Sequence, residues 1–123
     1  MDDLILVVDD AKFARTVAKR ALQNGGFNHV IEASTAAETL ELFRTNKPDL
    51  TLLDITLPDN TDLTLLRTLI EENPDAKIIM SSAIGQEAII MDAIRIGAKD
   101  YILKPYDEKL FLEAVTHVLG TQS

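Results

Sequence analysis

The sequence contains no cysteine. A disulfide framework and a thiolate metal site are thereby excluded, and a reducing cytoplasm suits the chain. Clusters of lysine and arginine are also missing: 12 basic residues stand against 20 acidic ones, giving a net charge of −8. Binding to a phosphate backbone needs basic side chains to displace counterions, so direct nucleic-acid binding is not expected. Long apolar runs are absent too. The start, Met1-Asp2-Asp3, is acidic, and only Leu4 to Val8 follows as an apolar run. Such a run can form a strand but is too short for a signal segment or a bilayer span, so a cytoplasmic protein without membrane contact is expected. Repeats, linkers and low-complexity segments do not occur. What remains is a chain of 123 residues, 46% hydrophobic and 26% charged, a length and composition suited to one globular domain over 1–123 with a continuous core.

Short apolar runs alternate with longer amphipathic stretches, five of each. The runs are Leu4–Val8, His29–Ala33, Leu50–Leu53, Lys77–Met80 and Tyr101–Leu103. The first is solid Leu, Ile and Val, as a strand covered on both faces requires. Between the runs, Ala14, Val17, Ala18 and Ala21 recur at helical spacing, as do Phe111, Ala114, Val115 and Val118. Gly25-Gly26 stops the first helix and Gly97 the fourth, while Thr35-Ala36-Ala37-Glu38 has capping-box spacing for the second. Lys47-Pro48-Asp49 and Asn73-Pro74-Asp75 return the chain to strands. The pattern predicts a (βα)₅ unit: a doubly wound, five-stranded parallel sheet with helices on both faces and right-handed crossovers.

Open sheets of this kind bind ligands beyond the carboxyl ends of their strands. Asp9-Asp10 follows the first run, Asp54 the third, Ser81-Ser82-Ala83 the fourth, and Lys104-Pro105 the fifth. Acids brought this close repel, so either a cation shares the cluster or one acid stays protonated. An all-oxygen donor set without His or Cys favours a hard ion, and carboxylates with waters and a phosphate oxygen suit Mg²⁺. Asp54, with its backbone fixed by the sheet, is the acid best placed as nucleophile, and a carboxylate can form an acyl phosphate. Lys104 would neutralise charge on the transferring group, and Ser82 could hydrogen-bond a phosphate oxygen. Taken singly, an Asp pair after a strand is usually a cap, Ser82 a turn hydroxyl and Lys104 a surface charge; their recurrence at successive strand ends makes them a candidate site.

Over almost its whole length the chain resembles a response-regulator receiver domain. The residues that carry the likeness are Asp9-Asp10, Asp54 within Leu53-Asp54-Ile55-Thr56-Leu57-Pro58, Ser82 before Ala83, Lys104 in its Lys-Pro pair, and Tyr101 three residues before the lysine. The resemblance implies the flavodoxin-like strand order 2-1-3-4-5, an order for which the chemotaxis receiver is the standard example. It implies that Asp54 is phosphorylated, that Asp10, Asp54 and the Thr56 carbonyl bind Mg²⁺ with help from Asp9, and that Ser82 and Tyr101 form the switch. The donor would be a histidine kinase, and the protein would catalyse only its own phosphoryl transfer and dephosphorylation, with a phosphatase as a possible further partner.

Two features depart from the family pattern. Receivers commonly have Asp-Gly where this chain has Thr61-Asp62, so Asp62 replaces a residue free to adopt positive φ and adds an acid near the site, or else caps the third helix. The flanking positions Thr56 and Ile84 are uncharged, and Ile84 cannot orient an attacking water, which predicts a phosphoryl group that is not quickly self-hydrolysed. On the fourth and fifth helices, Ile89-Ile90-Met91 and Leu110-Phe111-Leu112 cannot each bury on one helical face, so either some reach the margins, where a partner covers them, or the core contact is broad. His29 and His117 are isolated and predicted to be structural or solvent-facing. The chain ends directly after the last helix, so no output domain is expected and the switch would act by binding. Among single-domain receivers the likeness is to chemotaxis regulators, notably in Asp10-Ala11-Lys12-Phe13-Ala14-Arg15 and Ser82-Ala83-Ile84-Gly85-Gln86. The implied target is a flagellar motor switch protein, or another protein, on the face formed by the fourth helix, fifth strand and fifth helix. Other readings stand beside it: a phosphorelay intermediate passing phosphate to a histidine phosphotransfer protein, a receiver cut from a longer regulator, and a small aspartyl-phosphate hydrolase. The hydrolase would need a general acid where Thr56 stands, and a flavin carrier would need a Ser/Thr/Gly-rich phosphate loop where the acids stand.

Overall fold

The computed structural model describes residues 2–60 and 62–120. Ten elements alternate along it: β1 (Leu4–Val8), α1 (Lys12–Asn24), β2 (His29–Ala33), α2 (Ala36–Asn46), β3 (Leu50–Asp54), α3 (Thr64–Glu72), β4 (Ile78–Ser82), α4 (Glu87–Ile96), β5 (Asp100–Leu103) and α5 (Glu108–Gly120). The strands form one parallel sheet in the order β2-β1-β3-β4-β5, the order that the resemblance implies.

Alternation along the strands divides the core into two layers. Leu6, Val8, Leu53, Ile78 and Met80 face one side and pack against Phe43, Leu65, Leu66, Leu69, Ile90 and Ala93 from α2, α3 and α4. Ile5, Val7, Leu52, Ile79 and Ile102 face the other and meet Ala18, Leu22, Phe111, Val115 and Val118 from α1 and α5. The apolar runs are continuous, not alternating, because both faces are covered.

Local signals act where the sequence places them. Thr35 caps α2 by accepting a hydrogen bond from the Glu38 N–H at 3.1 Å. The Glu38 carboxylate reaches back one residue further than a capping box requires, accepting from the N–H and hydroxyl of Ser34. Gly26 holds φ +93° after α1, and Gly97 holds φ +143° after α4, where a Cβ would lie 3.1 Å from Ile70.

Strand ends differ from the apolar runs. Asp54 is the last residue of β3, and Ser81 and Ser82 belong to β4 instead of following it. The ladder carries pairing past the apolar residues, with Asp54 opposite Ser81 and Ser82 opposite Leu103. At the other end β4 begins at Ile78, not Lys77, although the Lys77 carbonyl still accepts from the Thr51 N–H, and β5 begins at Asp100.

Thr61 lies outside the described residues. Asp62 does not occupy positive φ, since Lys47 is the only non-glycine residue there among the described residues. Nor is Asp62 the N-cap of α3, a position held by Leu63; its carboxylate accepts from the Thr64 N–H at 2.9 Å, closing a turn one residue earlier. The helix triplets split as narrow helix faces demand: Ile90 and Phe111 are buried, whereas Ile89, Met91 and Leu110 are exposed.

Candidate functional site

The carboxyl ends of β1 and β3, neighbours at the centre of the sheet, bring Asp9, Asp10 and Asp54 together. One carboxylate oxygen from each lies within 4.8 Å of the others. Asp9 and Asp54 are buried and Asp10 is exposed, so the cluster opens to solvent on one side. Asp62 is not part of it. The Asp9 carboxylate is further fixed by accepting from the Ala11 N–H at 2.9 Å, which closes the turn into α1.

Lys104 enters from the end of β5. Its ammonium donates to Asp9 Oδ2 at 2.5 Å and lies 3.4 Å from Asp54 Oδ2. Burial works to lower the pKa of this ammonium, but the Asp9 hydrogen bond and the charges of Asp54 and Asp9 outweigh it, so the net shift is upward. Asp54 shifts the other way for an acid. Burial pushes its carboxyl up to about 6, Lys104 opposes that rise, and Asp9 adds to it. The Thr56 N–H donates to Asp54 Oδ1 at 3.3 Å and stabilises the ionised form.

Ser82 is 1% exposed, and its Oγ is the one fully buried side-chain polar atom without a hydrogen-bond partner among the described residues. Its backbone carbonyl accepts from the Lys104 N–H at 2.7 Å. Tyr101 stands apart, 45% exposed on β5. It lines an open groove of about 600 Å³ with Asp100, Leu103, Leu110, Glu113 and His117. Ile84 is 80% exposed in the loop between β4 and α4, and His29 and His117 are solvent-facing as expected. The structure thus brings together Asp9, Asp10, Asp54, Lys104 and, through its backbone, Thr56. Ser82 adjoins them on β4, and Tyr101 does not reach them.

Several residues around the site escaped the sequence reading. Arg15 donates to the Asp9 carbonyl at 2.8 Å and pairs with Glu32 on β2, tying down the first acid turn. Asp59 accepts from the Ala36 and Ala37 N–H groups at 2.7 and 3.2 Å, fastening the loop after Asp54 to the start of α2. Those two hydrogen bonds, the Ala36 one first, hold its carboxyl below the usual range. Tyr106 shares a 2.8 Å hydrogen bond with Ser81, and its ring meets Phe111 edge-on at 4.9 Å. The period of two along β4 was a usable signal, because it sends Ser81 and Ser82 to opposite faces.

The donor set fits a hard divalent ion: all its ligand atoms are oxygen, and the carboxylates are close enough to share one cation. Such an acidic pocket is where receiver domains generally bind Mg²⁺.

Residues 5–116 match the family model described as the response regulator receiver domain. The chain is similar to chemotaxis protein CheY of Bacillus subtilis, 42% identical over 94% of this chain and 97% of that one. It is also similar to the transcriptional regulatory protein LytR of Staphylococcus aureus, 34% identical over 96% of this chain but 48% of that protein. Among solved structures, the receiver domain of NtrX from Brucella abortus superposes with a TM-score of 0.90 at 30% identity, covering 96% of this chain and 99% of that one.

Proposed function

Since the chain belongs to the response regulator receiver domain family, we propose that it is a phosphorylation-driven switch in which Asp54 accepts a phosphoryl group from a histidine kinase. The observation that carries this reading is the convergence of Asp9, Asp10 and Asp54 within 4.8 Å, with the Lys104 ammonium 3.4 Å from Asp54.

An ionised Asp54 oxygen attacks the phosphorus of a phosphohistidine. A P–O bond forms, the P–N bond breaks, and the departing imidazole nitrogen takes a proton. The β3 ladder fixes the Asp54 backbone, and the Thr56 N–H orients one carboxylate oxygen, which leaves the other for attack. The carboxylates of Asp9, Asp10 and Asp54 and the carbonyl of Thr56 are the groups that would hold Mg²⁺. When bound, that ion neutralises charge on the transferring group. Lys104 leaves Asp54 for a phosphoryl oxygen and supplies a second positive charge there. The Ser82 hydroxyl, buried and without a protein partner, gains an acceptor in that phosphoryl group. Tyr101, exposed beside the groove between β5 and α5, then turns inwards, and the face of α4, β5 and α5 changes shape.

A role in chemotaxis is supported by the relatives that carry that name and match at nearly full length. The target we propose is a flagellar motor switch protein that covers the exposed Ile89, Met91, Tyr101 and Leu110. The uncharged Thr56 and Ile84 give the phosphoryl group a long lifetime.

Incubation with acetyl phosphate and Mg²⁺ tests the site: the parent gains label and an Asp54→Asn variant does not. Equal labelling of the two would overturn it. Capture of motor components by the protein loaded with beryllofluoride, and not without it, tests the target.

A further inference from the structure

The lysine of the site sits on a turn with few ties to the sheet. After β5 ends at Leu103, the Lys104 N–H donates to the Ser82 carbonyl at 2.7 Å. Pro105 has no N–H to give. The next tie is made by a side chain: the Tyr106 hydroxyl meets the Ser81 hydroxyl at 2.8 Å. Only after this does α5 begin, with the Phe111 N–H donating to the Asp107 carbonyl. The two anchors of the turn are therefore consecutive residues of β4, one bonding by its carbonyl and the other by its hydroxyl.

We propose that Tyr106, through its hydrogen bond to Ser81, is a positioning residue that holds Lys104 over Asp9 and Asp54. The inference rests on the phosphoacceptor reading of the site and adds a residue that the motif does not contain. Two observations separate this role from ordinary core filling. The Tyr106 ring is already seated edge-on against Phe111, so a phenylalanine would fill the same space. The hydroxyl, in contrast, reaches a residue that lies directly opposite Asp54 in the β3–β4 register. It thus joins the strand bearing the nucleophile's neighbour to the turn bearing the lysine. A hydroxyl pair between the buried Ser81 and the half-buried Tyr106 has a narrow range of length and direction, so it limits how far the turn can drift. The Lys104 chain is long and flexible, and its ammonium must sit between two carboxylates at once. Small errors at its backbone therefore matter.

The test uses Tyr106→Phe, Ser81→Ala and the double variant, all in the full chain. In the parent, the ordered Lys104 ammonium gives a slowly exchanging ¹⁵N signal that is lost in Lys104→Arg. We expect that signal to broaden or vanish in both single variants, with Mg²⁺ affinity measured by calorimetry no weaker than in the parent. The rate of labelling by acetyl phosphate at saturating Mg²⁺ should fall by about threefold to tenfold, the effect of one neutral hydrogen bond on a barrier. The double variant should fall no further than either single one, because both remove the same bond. A sharp Lys104 signal in Tyr106→Phe, or losses that multiply in the double variant, would overturn the proposal. A parent that takes no label at all would refute the phosphoacceptor reading instead, while the ammonium signal would still decide whether Tyr106 positions the lysine.

Discussion

Replacing Asp54 by asparagine should make the metal-free protein more stable at neutral pH. Burial raises this carboxyl from 3.8 to about 6, with Lys104 only partly offsetting the rise and Asp9 adding to it. In the unfolded chain the group ionises near its ordinary value. Between those two pH values the folded state therefore holds more protons, and stability falls as pH rises through the window, then levels off above about 6. A shift of that size corresponds to about 3 kcal/mol at full strength. Although Asp54 is buried, its cluster opens to solvent on the side of Asp10 and water there screens part of the effect, so about 1–2 kcal/mol is the expected gain. Asparagine keeps the volume and an oxygen that can accept from the Thr56 N–H, so little else is lost. Urea unfolding in the presence of a chelator should show the variant ahead of the parent at pH 7.5 and level with it near pH 4. Added Mg²⁺ should narrow the gap at pH 7.5, since it binds the folded parent and finds one ligand fewer in the variant. A gap of the same size at both pH values, or a variant less stable at pH 7.5, would show that ionised Asp54 is not the source of the cost.

Lys104→Ala should bind Mg²⁺ more tightly than the parent in a calorimetric titration, because the ammonium that competes for Asp9 and Asp54 is gone, yet it should be labelled more slowly by acetyl phosphate. Leu22→Ala, at a fully buried position on α1, should cost about 2–5 kcal/mol in urea unfolding and leave Mg²⁺ affinity untouched. Asp59→Ala should speed hydrogen exchange at the Ala36 and Ala37 amides, with the rest of the sheet unaffected. The labelled protein should keep its phosphate well beyond seconds, as followed by loss of label after rapid removal of acetyl phosphate.

Much of this was legible in the sequence because the chemistry follows the strand ends. The solid apolar runs mark a sheet covered on both faces, and Asp9, Asp54, Ser82 and Lys104 each lie at or beside the end of such a run. The ends themselves were harder to fix. Ser81 and Ser82 look like a loop by composition, and only the ladder with Asp54 and Leu103 draws them into β4. The supporting contacts were hidden for a different reason. Arg15 to the Asp9 carbonyl, Asp59 to α2 and Tyr106 to Ser81 join residues whose nearness depends on register and rotamer, which no spacing along the chain encodes. Asp62 was open to two readings from the sequence, a cap of the third helix or a stand-in for a residue free to adopt positive φ; it is neither, and its carboxylate closes an ordinary turn onto the Thr64 N–H.

The buried, unpartnered hydroxyl of Ser82 bears on the response of the proposed switch. A buried polar group left without a partner costs about 1–3 kcal/mol, and each 1.4 kcal/mol or so is a tenfold change in population. If a phosphoryl oxygen on Asp54 relieves that cost, the phosphorylated form gains roughly one to two powers of ten over what a satisfied resting hydroxyl would allow. The gain arises only when the phosphoryl group is present, so it would strengthen the response without adding background output. Ser82→Ala would remove the hydroxyl and with it the gain, giving a duller response on an unchanged baseline. The sensitivity of the proposed switch would thus rest in part on a single oxygen atom.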